Sequence, residues 1–236
     1  MSIIRKPFRF MHFNTVYWLI GINLLFYIVL SFFGDTVVSS LDVTDILEKR
    51  YGQIYDEVKV PMSLNNMLAM LPQAVIKKGT VWSFVTYMFM HGGLTHILFN
   101  MFGLFIFGIH VERQMGSKEF LLFYLITGAL AGVLSFIIYV LSGMMLVNLV
   151  GASGALYAVM LAYAVMYPSS IIYIWGIIPL RAPVMVLGYT VLSLFFIVTG
   201  GGGNVAHATH LAGFILAWLY FMIRFGISPW RRLTGR

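Results

Sequence analysis

EFLLFYLITGALAGVLSFIIYVLSGMMLVNLVGASGALYAVMLAYAVMYPSSIIYIWGIIPLR, Glu119 to Arg181, holds no formal charge between its two ends. A helix that crosses a bilayer needs about 20 predominantly apolar residues, so this stretch is long enough for two. Working outward, no charge lies between Arg9 and Asp35 or between Lys78 and Glu112, and each of these gaps holds one span. A fourth gap, Arg181 to Arg224, holds two more. The six spans are expected at 14–34, 90–111, 119–141, 152–167, 183–199 and 206–224. The runs are continuous rather than alternating, which argues for helices and against a closed barrel. The fourth span is short and stops at Pro168, which cannot donate to a continuing helix. The expected fold is an all-α polytopic membrane protein, one six-helix membrane domain filling residues 1–236.

The composition agrees. Hydrophobic residues make up 60% of the 236, and the mean hydropathy is +0.90, outside the range of soluble domains. With six spans, both termini share a side. That side carries Arg5, Lys6, Arg9, Arg113, Lys118, Arg181, Arg224, Arg231, Arg232 and Arg236 against Glu112 and Glu119. The other carries five basic and six acidic residues, so the termini are expected to be cytoplasmic. The pI of about 9.7 therefore calls for no nucleic acid; the basic excess suits an anionic lipid leaflet. The first apolar run is longer than a usual signal-peptide core and lacks a convincing cleavage site, so it is expected to remain as a span. Cysteine is absent, which excludes disulfides, cysteine nucleophiles and thiolate metal sites; no metal or cofactor is expected.

Three links stand out. The outer loop at 35–80 mixes charged stretches with apolar ones such as NNMLAMLPQAVI (65–76), and is expected to lie at the membrane interface. The run TGGGGN (199–204) joins spans five and six and is expected to be the most flexible part of the chain. IIYIWGIIPLRAPV (171–184) is read as an interfacial link on the inner side.

Topology then places the polar residues inside the membrane. Ser153 opens span four from the outer side, His210 lies early in span six, and His91, His96 and Asn100 lie on the outer half of span two. All five converge at one depth, and ionisable groups at such places are costly enough to point to function. For Ser153 two readings stand side by side. Gly154, Ala158 and Ala162 form a row of small residues, so the serine suits close helix packing. It also stands at a helix start between Gly151 and Gly154, where unpaired N–H groups can stabilise an anion. A nucleophile there would have part of an oxyanion hole in its own backbone.

His210 has Ala206, Gly213 and Ala217 on its side of the helix. If this small face meets that of span four, His210 and Ser153 form a nucleophile–base pair; otherwise His210 is a packing histidine. Tyr157, four residues past Ser153, could pack on the imidazole. No carboxylate lies between Glu119 and Arg224, so any serine hydrolase here would use a Ser–His dyad rather than a triad. GASGA also misses the G-x-S-x-G elbow, since position 155 is Ala. His96 and Asn100 share a helix face and both can donate hydrogen bonds, as an oxyanion hole or an interhelical clamp requires. His91 fits that face less well, and a structural role suits it equally.

Four blocks in order resemble the rhomboid family of intramembrane serine proteases: HGGLTHILFNMFGLFIFG (91–108), VERQMGSKEFLLFYLITG (111–128), GASGALYA (151–158) and HATHLAGF (207–214). The resemblance covers about residues 14–225 and is to bacterial-type, six-span members. It implies a rhomboid-like bundle, with Ser153 as nucleophile and His210 as general base. His96, Asn100 and the Ser153 backbone N–H would form the oxyanion site. Tyr157 would stack on His210, with Gly151, Gly154 and Gly213 shaping the loop and the packing, and His91 in support. His207 is read either as lining the mouth of the site or as a plain loop histidine. Many bacterial members have Trp-Arg nine residues before the position of His91; here the pair is Trp82-Ser83. The substrates implied are transmembrane proteins cut near the outer end of a span, with Gly200–Gly203 as a mobile cap over Ser153. The location implied is the bacterial cytoplasmic (inner) membrane.

The rival readings are weaker. A catalytically silent relative, a membrane-protein binding partner, would be expected to lose Ser153 or His210. A haem carrier could use His96 and His110 but lacks a matching pair on another span. A metalloprotease would need H-E-x-x-H or an intramembrane carboxylate, and a transporter interrupted spans and buried charges.

Overall fold

The computed structural model describes residues 14–174, 176–199 and 204–235, with the side chains of 174 and 204–206 left aside. Arg5, Lys6, Arg9, Arg236 and the expected Gly200–Gly203 cap lie outside the described residues.

The first span is α1 (Thr15–Phe33). Its leading N–H groups have no partner within the helix, and a carboxylate from far along the chain supplies one. The Thr15 and Val16 N–H groups donate to the two oxygens of Glu112 at 2.7 and 2.9 Å, and the Ser117 hydroxyl donates to the same carboxylate. Between α1 and the next span, the chain forms β1 (Val37–Asp42), α2 (Thr44–Tyr51), β2 (Lys59–Ser63), α3 (Leu64–Leu68), α4 (Pro72–Lys78) and α5 (Ser83–Thr86). β1 and β2 pair antiparallel, Leu41 opposite Val60 and Asp42 opposite Lys59. They enclose a small core of Leu41, Val43, Met62, Leu71 and Ala74. The outer loop expected to be interfacial thus has a core of its own and adds strands to the expected all-helical chain. The Thr44 hydroxyl and N–H donate to Asp42, which holds its carboxyl below the usual range.

This outer unit is tied to the loop that leads to Ser153. Met70 and Leu149 exchange a pair of backbone hydrogen bonds at 3.1 and 2.9 Å, and the Gln73 N–H donates to the Met145 carbonyl at 3.0 Å. Asn148 donates to Asn66 at 2.8 Å.

The second span is α6 (Leu94–Met115), with a π-helical turn at Leu104–Gly108. It begins and ends about four residues later than the expected 90–111. Gly92 and Gly93 stay outside the helix. Glu112, expected to end the span, stays inside it because its charge is taken up by the N-terminus of α1. The third span is α7 (Ser117–Leu141). α8 (Ser153–Met166) follows, then a hairpin of β3 (Ile171–Ile174) and β4 (Ile178–Arg181), α9 (Ala182–Thr199) and α10 (Asn204–Tyr220, continued by a π-helical turn Phe221–Phe225). α11 (Pro229–Thr234) closes the described chain.

Among the described residues, five helices are long and apolar enough to cross a membrane: α1, α6, α7, α9 and the His207–Phe225 part of α10. The chain is an integral, multi-pass membrane protein. α8 has 14 residues, about 21 Å at 1.5 Å per residue, short of the ~30 Å hydrocarbon core. Its exposure is also the lowest: Ala155, Ala158, Val159 and Ala162 are fully buried. The six expected spans thus correspond to five helices of crossing length around one short central helix.

Two polar clamps join the outer helices of the bundle. One is the Glu112 cap. The other is a fork in which Arg224 donates through Nε and Nη2 to the two oxygens of buried Glu119 at 2.9 and 2.8 Å, while the Tyr220 hydroxyl donates to the same carboxylate at 2.6 Å. It locks α7 to α10.

Candidate active site

Gly151 sets the site. Its φ of +119° is rarely adopted by other residues, and it turns the chain from the loop into α8. The Gly151 N–H is anchored on the Tyr87 carbonyl at 2.9 Å. Burial pushes the Tyr87 phenol above its ordinary value, and it remains a neutral donor to the Gly128 carbonyl at 2.7 Å. Two residues on, Ser153 is the first residue of α8.

α8 packs more extensively against α10 than any other pair of helices packs. Small residues permit this. A Cβ on Gly213 would run into the Gly154 carbonyl, and one on Gly154 would lie 3.0 Å from the Thr209 methyl. The expected meeting of small faces is therefore real, and it brings His210 to Ser153. His210 Nε2 and Ser153 Oγ are 2.9 Å apart. The imidazole stacks on the Tyr157 ring, with centroids 4.0 Å apart and planes 11° from parallel. His210 Nδ1 has no hydrogen-bond partner among the described residues.

His96 approaches from the other side of Gly151. A Cβ on Gly151 would lie 2.7 Å from His96 Nε2 and 3.7 Å from Ser153 Oγ. The space that this glycine leaves open therefore lies between the imidazole and the hydroxyl. The Gly92 N–H points at His96 Nδ1 at 3.4 Å, which favours the tautomer with the proton on Nε2, facing that space. Asn100 is buried, and its amide donates to the His96 carbonyl at 3.0 Å, which leaves one amide hydrogen uncommitted. His91 lies ahead of α6 and packs edge-on against His96, ring centroids 5.1 Å apart. Burial, with His96 beside it, pushes the His91 pKa down to about 4, so the ring is neutral.

His207 stacks on Phe196 of α9 at 4.8 Å and meets His210 edge-on at 5.9 Å. Trp82 donates from its indole to the Met67 carbonyl at 2.9 Å, and Ser83 beside it is fully buried. The structure also brings in residues that sequence reasoning missed. The Ser135 and Thr209 hydroxyls share a hydrogen bond of 2.7 Å, which fixes α10 against α7 one residue before His210. Neither this pair nor Tyr87 carries a local signal; only the tertiary contacts reveal them. Among the described residues, no group of three or more His, Asp or Glu could hold a metal ion.

Known proteins are similar in sequence to this chain. The Rhomboid domain family model matches residues 78–227. RHOMBOID-like protein 12, mitochondrial, of Arabidopsis thaliana is 30% identical over 170 residues, 65% of this chain and 49% of that protein. Rhomboid-related protein 2 of Mus musculus is 33% identical over 144 residues, 58% of this chain and 46% of its own length. Rhomboid protease GlpG of Haemophilus influenzae is 28% identical over 143 residues, 61% of this chain and 69% of that protein. The chain spans about half the length of the first two. The family match covers well over half of the chain and contains Ser153, His210, His96 and Asn100; the chain belongs to the rhomboid family.

Proposed function

We propose that this chain is an intramembrane serine endopeptidase that hydrolyses peptide bonds in or near transmembrane segments of other membrane proteins by a Ser–His dyad. The observation that carries the reading is the 2.9 Å approach of His210 Nε2 to Ser153 Oγ. It is supported by the stack of His210 on Tyr157 and by the open space beside Gly151.

In this reading Ser153 Oγ attacks the carbonyl carbon of the scissile bond while His210 Nε2 takes the hydroxyl proton. The carbonyl oxygen becomes negative and lies toward the Ser153 N–H at the start of α8, His96 Nε2–H and the free amide hydrogen of Asn100. His210 returns the proton to the leaving amine, and the first product departs. Water then attacks the acyl-serine, with His210 again as base, and Ser153 is regenerated. With no carboxylate on Nδ1, the stack on Tyr157 and the packing of α8 on α10 orient the imidazole.

Hydrolysis needs water, so the site opens toward the outer aqueous phase. A helical substrate has its carbonyls in hydrogen bonds and must be unwound locally, near its membrane boundary. The natural setting proposed is the bacterial cytoplasmic membrane; it rests on the basic excess and the bacterial-type sequence pattern. The test is cleavage of a single-pass model substrate by the full chain in liposomes. Wild type is expected to cleave it, and Ser153→Ala and His210→Ala each to lower the rate by at least about 10³-fold. Undiminished cleavage by Ser153→Ala contradicts the proposal.

A further inference from the structure

Away from the Ser153 site, α9 and α10 part to leave a lateral groove of about 570 Å³. Its floor is Leu161 of α8 and Phe214 of α10, and its walls include Leu187 of α9 and Trp218 of α10. α11 closes one end with Trp230 and Leu233. The volume lies in the range of small-molecule sites. The lining is almost wholly apolar, the threonines Thr190 and Thr234 excepted, so an extended hydrocarbon chain matches it.

The closed end is charged. α11 also carries Arg231, which is exposed, and exposed Arg181 stands two residues before Pro183 of the groove wall, whereas Arg232 lines a separate cavity with Met166, Phe221 and Phe225. Among the described residues neither Arg231 nor Arg181 is in an ion pair. Trp230 is 61% exposed, on the same short helix as Arg231. Amphipathic rings of this kind belong at the level of lipid headgroups. An apolar trough that ends beside two exposed arginines and a tryptophan has the charge and polarity pattern of an anionic phospholipid.

We propose that the groove between α9, α10 and α11 is a specific site for an anionic phospholipid. One acyl chain lies along Leu161, Leu187, Phe214 and Trp218, and the phosphate lies between Arg231 and Arg181. The site does not depend on the reading of Ser153.

Lipid quenching reads the site directly. Trp218 is kept while Trp18, Trp82, Trp175 and Trp230 are changed to Phe. The protein is then reconstituted in phosphatidylcholine vesicles with brominated phosphatidylglycerol or brominated phosphatidylcholine as the minor component. Quenching of Trp218 is expected to show a preference for phosphatidylglycerol of about fivefold or more, since a basic residue near the surface contributes about that factor. Arg181→Gln with Arg231→Gln is expected to abolish most of the preference. Arg113→Gln, which removes an exposed charge elsewhere on the expected cytoplasmic side, is expected to leave it intact. In the chain with all tryptophans present, native mass spectrometry is expected to retain a phosphatidylglycerol adduct that the double variant loses. Equal quenching by both lipids, or a preference that survives Arg181→Gln with Arg231→Gln, overturns the proposal. So does quenching that a single-pass peptide helix displaces while phosphatidylglycerol does not, which would make the groove a helix-docking site.

Discussion

Gly151 concentrates the site into one residue. Its missing side chain leaves the space between His96 Nε2 and Ser153 Oγ, and its φ of +119° disfavours any replacement. In Gly151→Ala the new methyl would lie 2.7 Å from His96 Nε2 and fill the place assigned to the substrate carbonyl. Losing oxyanion stabilisation costs about 10²–10³ in turnover. Gly151→Ala is therefore expected to lose at least about 10²-fold in liposome cleavage, while the unfolding midpoint in detergent falls by a few degrees at most. Near-normal turnover would show that the space is not used. Ser153 and His210 were legible in the sequence because polar groups inside a membrane are expensive and stand out. Asn100 was legible in part: the free amide hydrogen fits the expected donor, but the other one is committed to the His96 carbonyl. Tyr87 and the Ser135–Thr209 pair were not legible, since their partners lie 41 and 74 residues away.

Among the elements, α8 and α10 hold the dyad, and the Glu119–Arg224–Tyr220 fork holds α10 to α7. The fork is buried at Glu119, and removing one partner of such a pair leaves an uncompensated charge. Arg224→Gln is expected to cost about 3 kcal/mol, read from denaturant unfolding in mixed micelles. Glu119→Gln with Arg224→Gln is expected to recover a good part of that loss. If the double variant is no better than the single one, the fork is not the source. The spans themselves were legible because the lipid interior demands long continuous apolar runs. Their ends were less so. α6 slips about four residues past the expected end because Glu112 serves α1, 97 residues from Thr15 in sequence. The strands β1 and β2 were missed for a related reason: their small core is assembled from separate short segments, and no single segment shows a strand's alternation.

For the whole molecule, the open question posed by length is whether α8 counts as a crossing. The cysteine-free sequence makes it measurable. Ile54 is 97% exposed in the outer unit, and Arg231 lies beyond the last long helix. Five crossings between them put Ile54→Cys and Arg231→Cys on opposite sides of the membrane; four crossings, with α8 not spanning, put them on one side. A membrane-impermeant maleimide is expected to label Ile54→Cys in intact cells and Arg231→Cys only after permeabilisation. Labelling of both from outside would remove α8 from the count and reverse the assigned side of the C-terminus.

In the proposed mechanism His210 makes Ser153 a nucleophile. A fluorophosphonate probe reports this without any substrate, and peptide mass spectrometry locates the adduct. One adduct is expected in the wild type, on Ser153, absent from Ser153→Ala and at least about 10²-fold slower to form in His210→Ala. An adduct on another residue, or equal labelling in His210→Ala, would contradict the account.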